Sequence, residues 1–394
     1  MPDNRIVIVG GGVIGSSIAY HLTRQDFSRE VVIIERDPTY RRASSALAMG
    51  GIRQQFSSLA NIRLAQHSIR FYAHFSETLR TPSQTPDAGF RQRGYLFLVN
   101  DAMAERFELR LARQRKLGAK VNRLATADVQ RLVPDLRTDD IRFGVFGPDD
   151  GYANPRLVLA GFRHAAEAAG ARFLADEVTG IDRADGQVRG VTLASGAQVG
   201  AQVVVNAAGP FAARLGVLAE VEVPVRPVRQ QLFRCALPRT WPYRFPVVID
   251  PTGVHWRHED PDADDERDRI IIAHTKMDED PGEIFACDMT RWQPDFLEPL
   301  VHRIPALAAI ELVNGWAGLY EMTPDHNPVI GEHPDLRGFY LANGFSGHGF
   351  MMAPAVGQAL AELITMGRSH TIDISPFDVT RFARGEPFWD DAMI

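Results

Sequence analysis

The apolar positions of this chain fall into three patterns, and each predicts a different kind of element. Residues 5–9 (RIVIV) and 31–34 (VVII) are β-rich runs with no polar alternation, which predicts parallel strands buried on both faces. Between them residues 10–15 read as a glycine turn and 16–23 as a helix, so the N-terminus is a βαβ unit. Longer stretches predict helices over 61–79, stopped by Pro82 and Pro86, over the charged segment 102–117, and over the alanine-rich segment 155–169. Strands are expected at 94–99, 171–174, 188–193 and 203–206.

Residues 221–316 change to β-rich segments at 230–235, 247–249, 253–256 and 270–274, the composition of a mostly antiparallel sheet. The acidic run 259–268 separates two of them. It is expected to be a solvated hairpin loop, since it lacks the regular spacing of a calcium loop. The α/β pattern returns with a strand at 339–342, a loop carrying Gly344, Gly347 and Gly349, and a helix over 354–364. A chain of 394 residues exceeds the size at which single cores divide, so two domains are expected. The first is an α/β, Rossmann-like nucleotide domain from residues 1–88, 141–224 and 324–394. The second is an α+β substrate domain on a mostly antiparallel sheet, from 89–140 and 225–323.

Composition narrows the function classes. Hydrophobic content of 45% with 23% charged residues is ordinary for a globular protein, and a net charge of −6 without a basic stripe argues against a nucleic-acid binder. Cys235 and Cys287 are too few for a disulfide framework or a thiolate cluster, and His302, His333 and the other histidines lack metal-ligand spacing, so no metal is expected. No apolar run approaches the ~20 residues that span a bilayer. The first strand begins at Arg5, leaving no room for a signal peptide, and a cytoplasmic location is expected.

The specific chemistry starts at Gly10, Gly12 and Gly15, which form G-x-G-x-x-G directly between a strand and a helix. The first glycine permits the tight turn, the second lets a pyrophosphate approach the backbone, and the third allows close packing of helix on sheet. Glu35 ends the second strand, 20 residues after Gly15, where a carboxylate accepts hydrogen bonds from an adenosine ribose. Its charge disfavours a 2′-phosphate and leaves NAD or FAD. Two segments separate these: the late strand and small-residue turn at 203–209, which has the look of the closure over the adenosine side in FAD folds, and the loop at 344–351. Its glycines admit a flat ligand, and the helix behind it aims unpaired N–H groups and a positive dipole end at the same place, which suits the negative edge of a reduced flavin.

These residues resemble the D-amino-acid oxidase superfamily of flavoproteins, nearest to the sarcosine oxidase and dehydrogenase group with proline dehydrogenase. The likeness is carried by GGGVIGSSIAYHL, ASSALAMGGIRQQF, VVVNAAGPFAARL, GWAGLYEMTPDHNPVIG and GFSGHGF, in the family's order. It implies FAD and oxidation of a C–N bond of an amino acid or N-alkyl amino acid. It places cofactor contacts at Gly10, Gly12, Val13, Ile14, Gly15, Glu35, Arg36, Ser44, Ser45, Met49, Gly50, Gly51, Val178, Ala208, Gly209 and Gly318, and in the late loop at Gly344, Gly347, His348, Gly349, Phe350 and Met351. Members with covalent flavin carry Cys or His where this chain has Gly318 and Leu47, which implies non-covalent FAD. The arginine-proline pair that holds a D-amino acid is Tyr320 and Glu321 here, and the lysine that follows GHGF in sarcosine oxidases is Met351. A lysine four residues before the strand histidine, used by oxidases toward O₂, corresponds to Ile270, which implies a dehydrogenase.

The catalytic candidates are Arg53, His274, His348, Trp256 and Tyr320. A guanidinium fork suits a carboxylate, so Arg53 is expected at the substrate face, with a surface ion pair as its alternative reading. His274 could tune the substrate amine, or be structural. His348 between two glycines suits a flavin contact. Trp256 and His255, with Tyr320 and Glu321, could form an aromatic wall, although aromatics in a sheet are more often core. The electron acceptor is O₂, a quinone or a partner protein, and relatives of this group are often one subunit of a hetero-oligomer. Two rival readings remain on the same fold: a 2-hydroxy-acid dehydrogenase and a flavin-binding assembly protein without turnover.

Overall fold

Strands with no polar face must be covered on both sides, and this is how the uninterrupted valines and isoleucines near the N-terminus are used. The computed structural model describes residues 4–25, 28–238, 240–259, 267–275 and 281–390. Arg5–Val9 and Glu30–Glu35 lie inside a six-stranded sheet whose order is Val329–Glu332, Phe339–Asn343, Val203–Asn206, Arg5–Val9, Glu30–Glu35, Arg172–Ala175. All neighbours are parallel except Val329–Glu332 against Phe339–Asn343. Ile6, Ile8, Val31 and Ile33 face helices Val13–Arg24, Leu59–Ala73, Pro155–Ala168 and Gly349–Met366. Val7, Val9, Val32 and Ile34 face the opposite layer, built from the antiparallel strands Val178–Ala184, Gln187–Leu193 and Gln198–Gly200 and the short helix Ala212–Leu218.

The second sheet has eight strands in the order Glu311–Met322, Arg226–Ala236, Arg269–His274, Val254–Glu259, Val247–Ile249, Tyr95–Val99, Phe143–Gly147, Asn122–Leu124. Its pairs are antiparallel except Val247–Ile249 with Tyr95–Val99. Alternation sorts its side chains. Phe233, Trp256, Ile270 and Ile272 form a core on the far face, while Leu232, Ile271 and Ala273 turn toward Met49 and Trp316. The strand Phe143–Gly147 lies within 141–224, expected in the nucleotide domain, yet it belongs to this second sheet.

Three elements differ from expectation for physical reasons. Glu311–Met322 is a twelve-residue strand that its Asn314, Gly315 and Gly318 conceal. It is an edge strand, paired only with Arg226–Ala236, so half of its surface needs no apolar residue. The segment 61–79 divides at His74 into Leu59–Ala73 and Phe75–Thr78. The last long helix begins at Gly349, not Pro354. Pro354 cannot donate to the carbonyl four residues back, and the Tyr72 hydroxyl donates to that Phe350 carbonyl instead, at 2.6 Å.

That helix, Gly349–Met366, is the one described helix long and apolar enough to cross a membrane, but 72% of it is buried within the fold, against Val13–Arg24 and Leu59–Ala73. The carbonyl of Ala353 accepts from the Ser17 hydroxyl at 2.8 Å, and any Cβ at Gly357 would fall 2.2 Å from that hydroxyl. Both cysteines are free thiols, and no metal-binding cluster occurs among the described residues. Of the acidic run, residues 260–266 lie outside the described residues. Its two ends are not solvated: Glu259 accepts two hydrogen bonds from Arg234 at 2.6 Å, and Asp268 accepts from the Trp241 N–H at 2.8 Å.

Candidate active site

Two cavities meet between the sheets and share Ile14, Ser44, Ser45 and Glu321 in their walls. The larger, about 460 Å³, follows the end of the first βαβ unit. Gly10 has φ +104°, and a Cβ there would strike the Ala207 carbonyl at 2.3 Å. Gly15 is pressed against the Gly10 carbonyl, where a Cβ would come within 1.9 Å. Gly12, the N-cap of Val13–Arg24, faces the cavity, as do Gly10 and Ile14. Glu35 is held by the Gly11 N–H and the Asp37 N–H, each at 2.8 Å, one on each oxygen, so its remaining lone pairs face the cavity. Arg36 lies over the Phe211 ring, 3.8 Å from its centroid, and lines the same space with Val178, Ala208, Gly209 and Arg42.

The smaller cavity, about 140 Å³, lies between this nucleotide end and the second sheet. The segment 44–51 forms one wall because the sheet grips it. The Ser44 hydroxyl donates to the Leu319 carbonyl at 2.7 Å, the Trp316 ring N–H to the Leu47 carbonyl at 3.0 Å, and Arg257 to the Met49 carbonyl at 2.7 Å. Met49, Gly50 and Gly51 line the space, and Gly318 packs directly on Leu47. Gly349, Phe350 and Met351 line it from the start of Gly349–Met366, where the N–H groups have no partner within the helix. Gly347, at φ +93°, lies under the Tyr320 ring, where a Cβ would collide at 2.5 Å. Gly344 contributes differently: its N–H donates to Glu321 at 3.0 Å, and it lines neither cavity.

Arg53 is the charged centre of this space. It is 1% exposed, donates to the Gln55 carbonyl at 2.8 Å and to His348 Nε2 at 3.1 Å, and rests on the Phe56 ring at 4.3 Å. Burial lowers its affinity for its proton, as it must for a cation without bulk water. Burial first, and then the Arg53 charge, push His348 down to about 3. The neutral ring therefore accepts at Nε2 and carries its proton on Nδ1. Tyr95 and Tyr320 flank the guanidinium, and burial raises both phenols.

The other sequence candidates separate. Trp256 is fully buried in the core on the far face of the sheet, so it forms no part of the wall. His255, its neighbour on the strand, faces the cavity in its place; it bonds the Gly253 carbonyl through Nδ1 at 3.0 Å and burial lowers it to about 4. His274 also lines the cavity, with its ring edge-on to Phe296 and Nε2 bonded to the Thr252 carbonyl at 3.1 Å. Ile270 shares the far face with Trp256, so its side chain is directed away from the cavity and says nothing about O₂.

Sequence reasoning passed over Gln230, Gln231 and Tyr95, which also line the cavity, and Asp150 behind it. Asp150 accepts from the Gln55 amide at 3.0 Å and the Gln54 N–H at 3.1 Å, and burial pushes it up to about 7. Burial likewise raises Glu321 to about 8. No motif flags such residues; only strand parity, given the register, could have placed Gln230.

Comparison with known proteins gives a consistent picture. The family model described as FAD dependent oxidoreductase (DAO) matches residues 5–363. FAD-dependent oxidoreductase domain-containing protein 1 of Bos taurus is 33% identical over 426 residues, covering 98% of this chain and 86% of that protein. Glycine oxidase of Geobacillus kaustophilus is 28% identical, covering 95% of this chain and 96% of that protein. The solved structure of L-proline dehydrogenase from P. horikoshii has a TM-score of 0.89 at 30% identity, covering 98% of this chain and 100% of that one.

The cavities fit the cofactor of that family. Glu35 offers acceptors for a ribose, and Ser45 and Arg42 offer donors beside the turn at Gly12. The helix start at Gly349, Phe350 and Met351 offers N–H groups at the other end, where a flavin ring would gain from a positive dipole.

Proposed function

This chain belongs to the DAO family of FAD-dependent oxidoreductases, and we propose that within it the protein oxidises the C–N bond of an amino acid or N-alkyl amino acid, in the manner of sarcosine, glycine or proline. The observation that carries this reading is the buried Arg53 guanidinium beside a neutral His348 at the mouth of the Gly349–Met366 helix. FAD, when bound, supplies the two-electron acceptor for the hydride that leaves the substrate carbon.

The chain's own residues bind, orient and keep out water. Arg53 holds the substrate carboxylate, and because its fork is fixed by Gln55 and Phe56 the carboxylate arrives in one orientation. Tyr95 and Tyr320 wall the reacting carbon from solvent. His255 lines the cavity with its Nδ1–H committed to Gly253, so the lone pair on Nε2 can accept from the substrate N–H and orient the nitrogen. The 2-hydroxy-acid reading needs a general base; His348 Nε2 already accepts from Arg53, and burial lowers both His348 and His255, which favours the amine reading.

Non-covalent attachment is supported by Leu47 and Gly318, which pack on each other, and by the absence of cysteine among the described lining residues. Acid precipitation should leave the yellow colour in the supernatant; colour in the pellet would contradict it. A dehydrogenase role is supported by the likeness to L-proline dehydrogenase and by a described lining without lysine. The substrate class is tested by anaerobic mixing with glycine, N-methylglycine, L-proline, D-amino acids and 2-hydroxy acids. Bleaching of the flavin by amino acids supports the reading, bleaching by hydroxy acids alone replaces it, and bleaching by none leaves the assembly-protein rival.

A further inference from the structure

The C-terminal segment is tied into the wall of the ring-side cavity through one carboxylate. Asp390 Oδ1 accepts from the Ser57 N–H at 2.9 Å and the Ser57 hydroxyl at 2.8 Å; Oδ2 accepts from the Ser58 N–H at 2.9 Å and the Asn61 amide at 3.0 Å. Ser58 is the N-cap of Leu59–Ala73, so the carboxylate also meets the positive end of a helix. Burial alone would raise this carboxyl, but the Asn61, Ser58 and Ser57 donors hold it down to about 2. The segment is anchored on its other side as well. The Asn327 amide donates to the Phe388 carbonyl at 2.6 Å, and the Asn61 amide donates to Asn327 at 2.8 Å.

What Asp390 grips is the irregular stretch between Gly51–Ile52 and Leu59–Ala73, and that stretch carries Arg53. The Arg53 guanidinium depends on Gln55 and Phe56 from the same stretch. A segment outside any ladder or helix has little rigidity of its own, so its orientation follows from the contacts that fix it. One end is the strand Gly51–Ile52, paired with Gly151–Tyr152; the middle is held by Asp150 on Gln54 and Gln55 and by the Gln114 amide on the Phe56 carbonyl; the far end is the four-donor grip on Asp390. The Asp390 charge also reaches Arg53 and His348, favouring the protonated form of each.

We propose that Asp390 is a positioning residue for substrate: by gripping Ser57, Ser58 and Asn61 it sets the stretch on which Arg53 is mounted, and so aligns the carboxylate anchor. The proposal rests on the reading of Arg53 as that anchor. It also gives the buried residues Asp325 and Asn327, within TPDHN, a part in the site, since they hold the tail that holds Arg53.

The test uses the holoprotein and whichever of glycine, N-methylglycine and L-proline reduces the flavin fastest anaerobically. Asp390→Asn should retain flavin and raise the concentration for half-maximal reduction roughly 10-fold or more. Ser57→Ala, which removes one donor, should act in the same direction to a smaller extent and covers the case in which Asp390→Asn does not fold. An Arg53→Ala background separates positioning from general loosening: there, the Asp390→Asn effect should disappear. A folded Asp390→Asn or Ser57→Ala protein with unchanged half-saturation overturns the proposal, as does an effect that persists in the Arg53→Ala background. If Arg53→Ala alone leaves half-saturation unchanged, or none of the three compounds reduces the flavin, the anchor reading fails first and the proposal falls with it.

Discussion

At the scale of single residues, the site depends on one buried cation and the neutral ring that accepts from it. Arg53 is 1% exposed and donates to Gln55 and His348, and a guanidinium held in so little water attracts a carboxylate strongly. Arg53→Lys keeps the charge but not the fork, and should weaken substrate binding by about 2 kcal/mol, roughly 30-fold, in titrations of the flavin absorbance. Unchanged affinity would place the carboxylate elsewhere. Arg53 was legible in the sequence because GGIRQQF stands in a family motif. Trp256 was misplaced because type alone does not reveal which face of a strand a side chain takes. The register of Val254–Glu259 settles it, with His255 toward the cavity and Trp256 away.

At the scale of elements, the helix Gly349–Met366 shows how a local rule can point to the wrong boundary. Proline favours the first turn of a helix, so the sequence places the start at Pro354. The helix instead begins at Gly349 and runs through the proline because the Tyr72 hydroxyl takes the orphaned Phe350 carbonyl. Those extra residues matter, since they bring the helix start to the cavity. Tyr72→Phe removes the compensating donor inside a packed core and should lower stability by about 1–3 kcal/mol in denaturant unfolding, with weaker retention of flavin. Wild-type stability in that variant would show that the carbonyl is satisfied otherwise. The glycine-rich fingerprint, by contrast, was fully legible, because backbone geometry dictates its residues: Gly10 and Gly15 admit no Cβ.

At the scale of the whole molecule, the fold holds several titratable groups away from water. Burial keeps His21, His258 and His348 near about 3 and His255 near about 4, against an ordinary value of 6.5. Unfolding lets each of the four bind a proton below about 6.5, so their contribution to stability is complete above that pH and is lost as pH falls. Asp150 and Glu321 act oppositely: raised to about 7 and about 8, they hold protons that the unfolded chain releases above about 4, and so reduce stability as pH rises. Four imidazoles outweigh two carboxyls between pH 5 and 6.5, and the balance turns slightly the other way above it. The melting temperature of the apoprotein should rise from about pH 5 to about 6.5 and then level or dip slightly. A melting temperature that falls over the lower interval would contradict these burials.

The division into two sheets was readable from hydrophobic pattern, but the seam was not. Phe143–Gly147 and the edge strand Glu311–Met322 join the second sheet through pairing partners far away in sequence, which periodicity does not encode. The site lies at that seam, where Arg53 is proposed to hold the carboxylate of an amine whose C–N bond is oxidised. The most direct measurement is anaerobic flavin bleaching by L-proline, by pyrrolidine, which lacks the carboxylate, and by a 2-hydroxy acid, side by side, with N-methylglycine against dimethylamine as a second pair. Bleaching is expected from a carboxylate-bearing amine, with at least ~30-fold weaker half-saturation for its decarboxylated partner and no bleaching by the hydroxy acid. Equal reduction by an amine with and without its carboxylate, or reduction by the hydroxy acid alone, would contradict it.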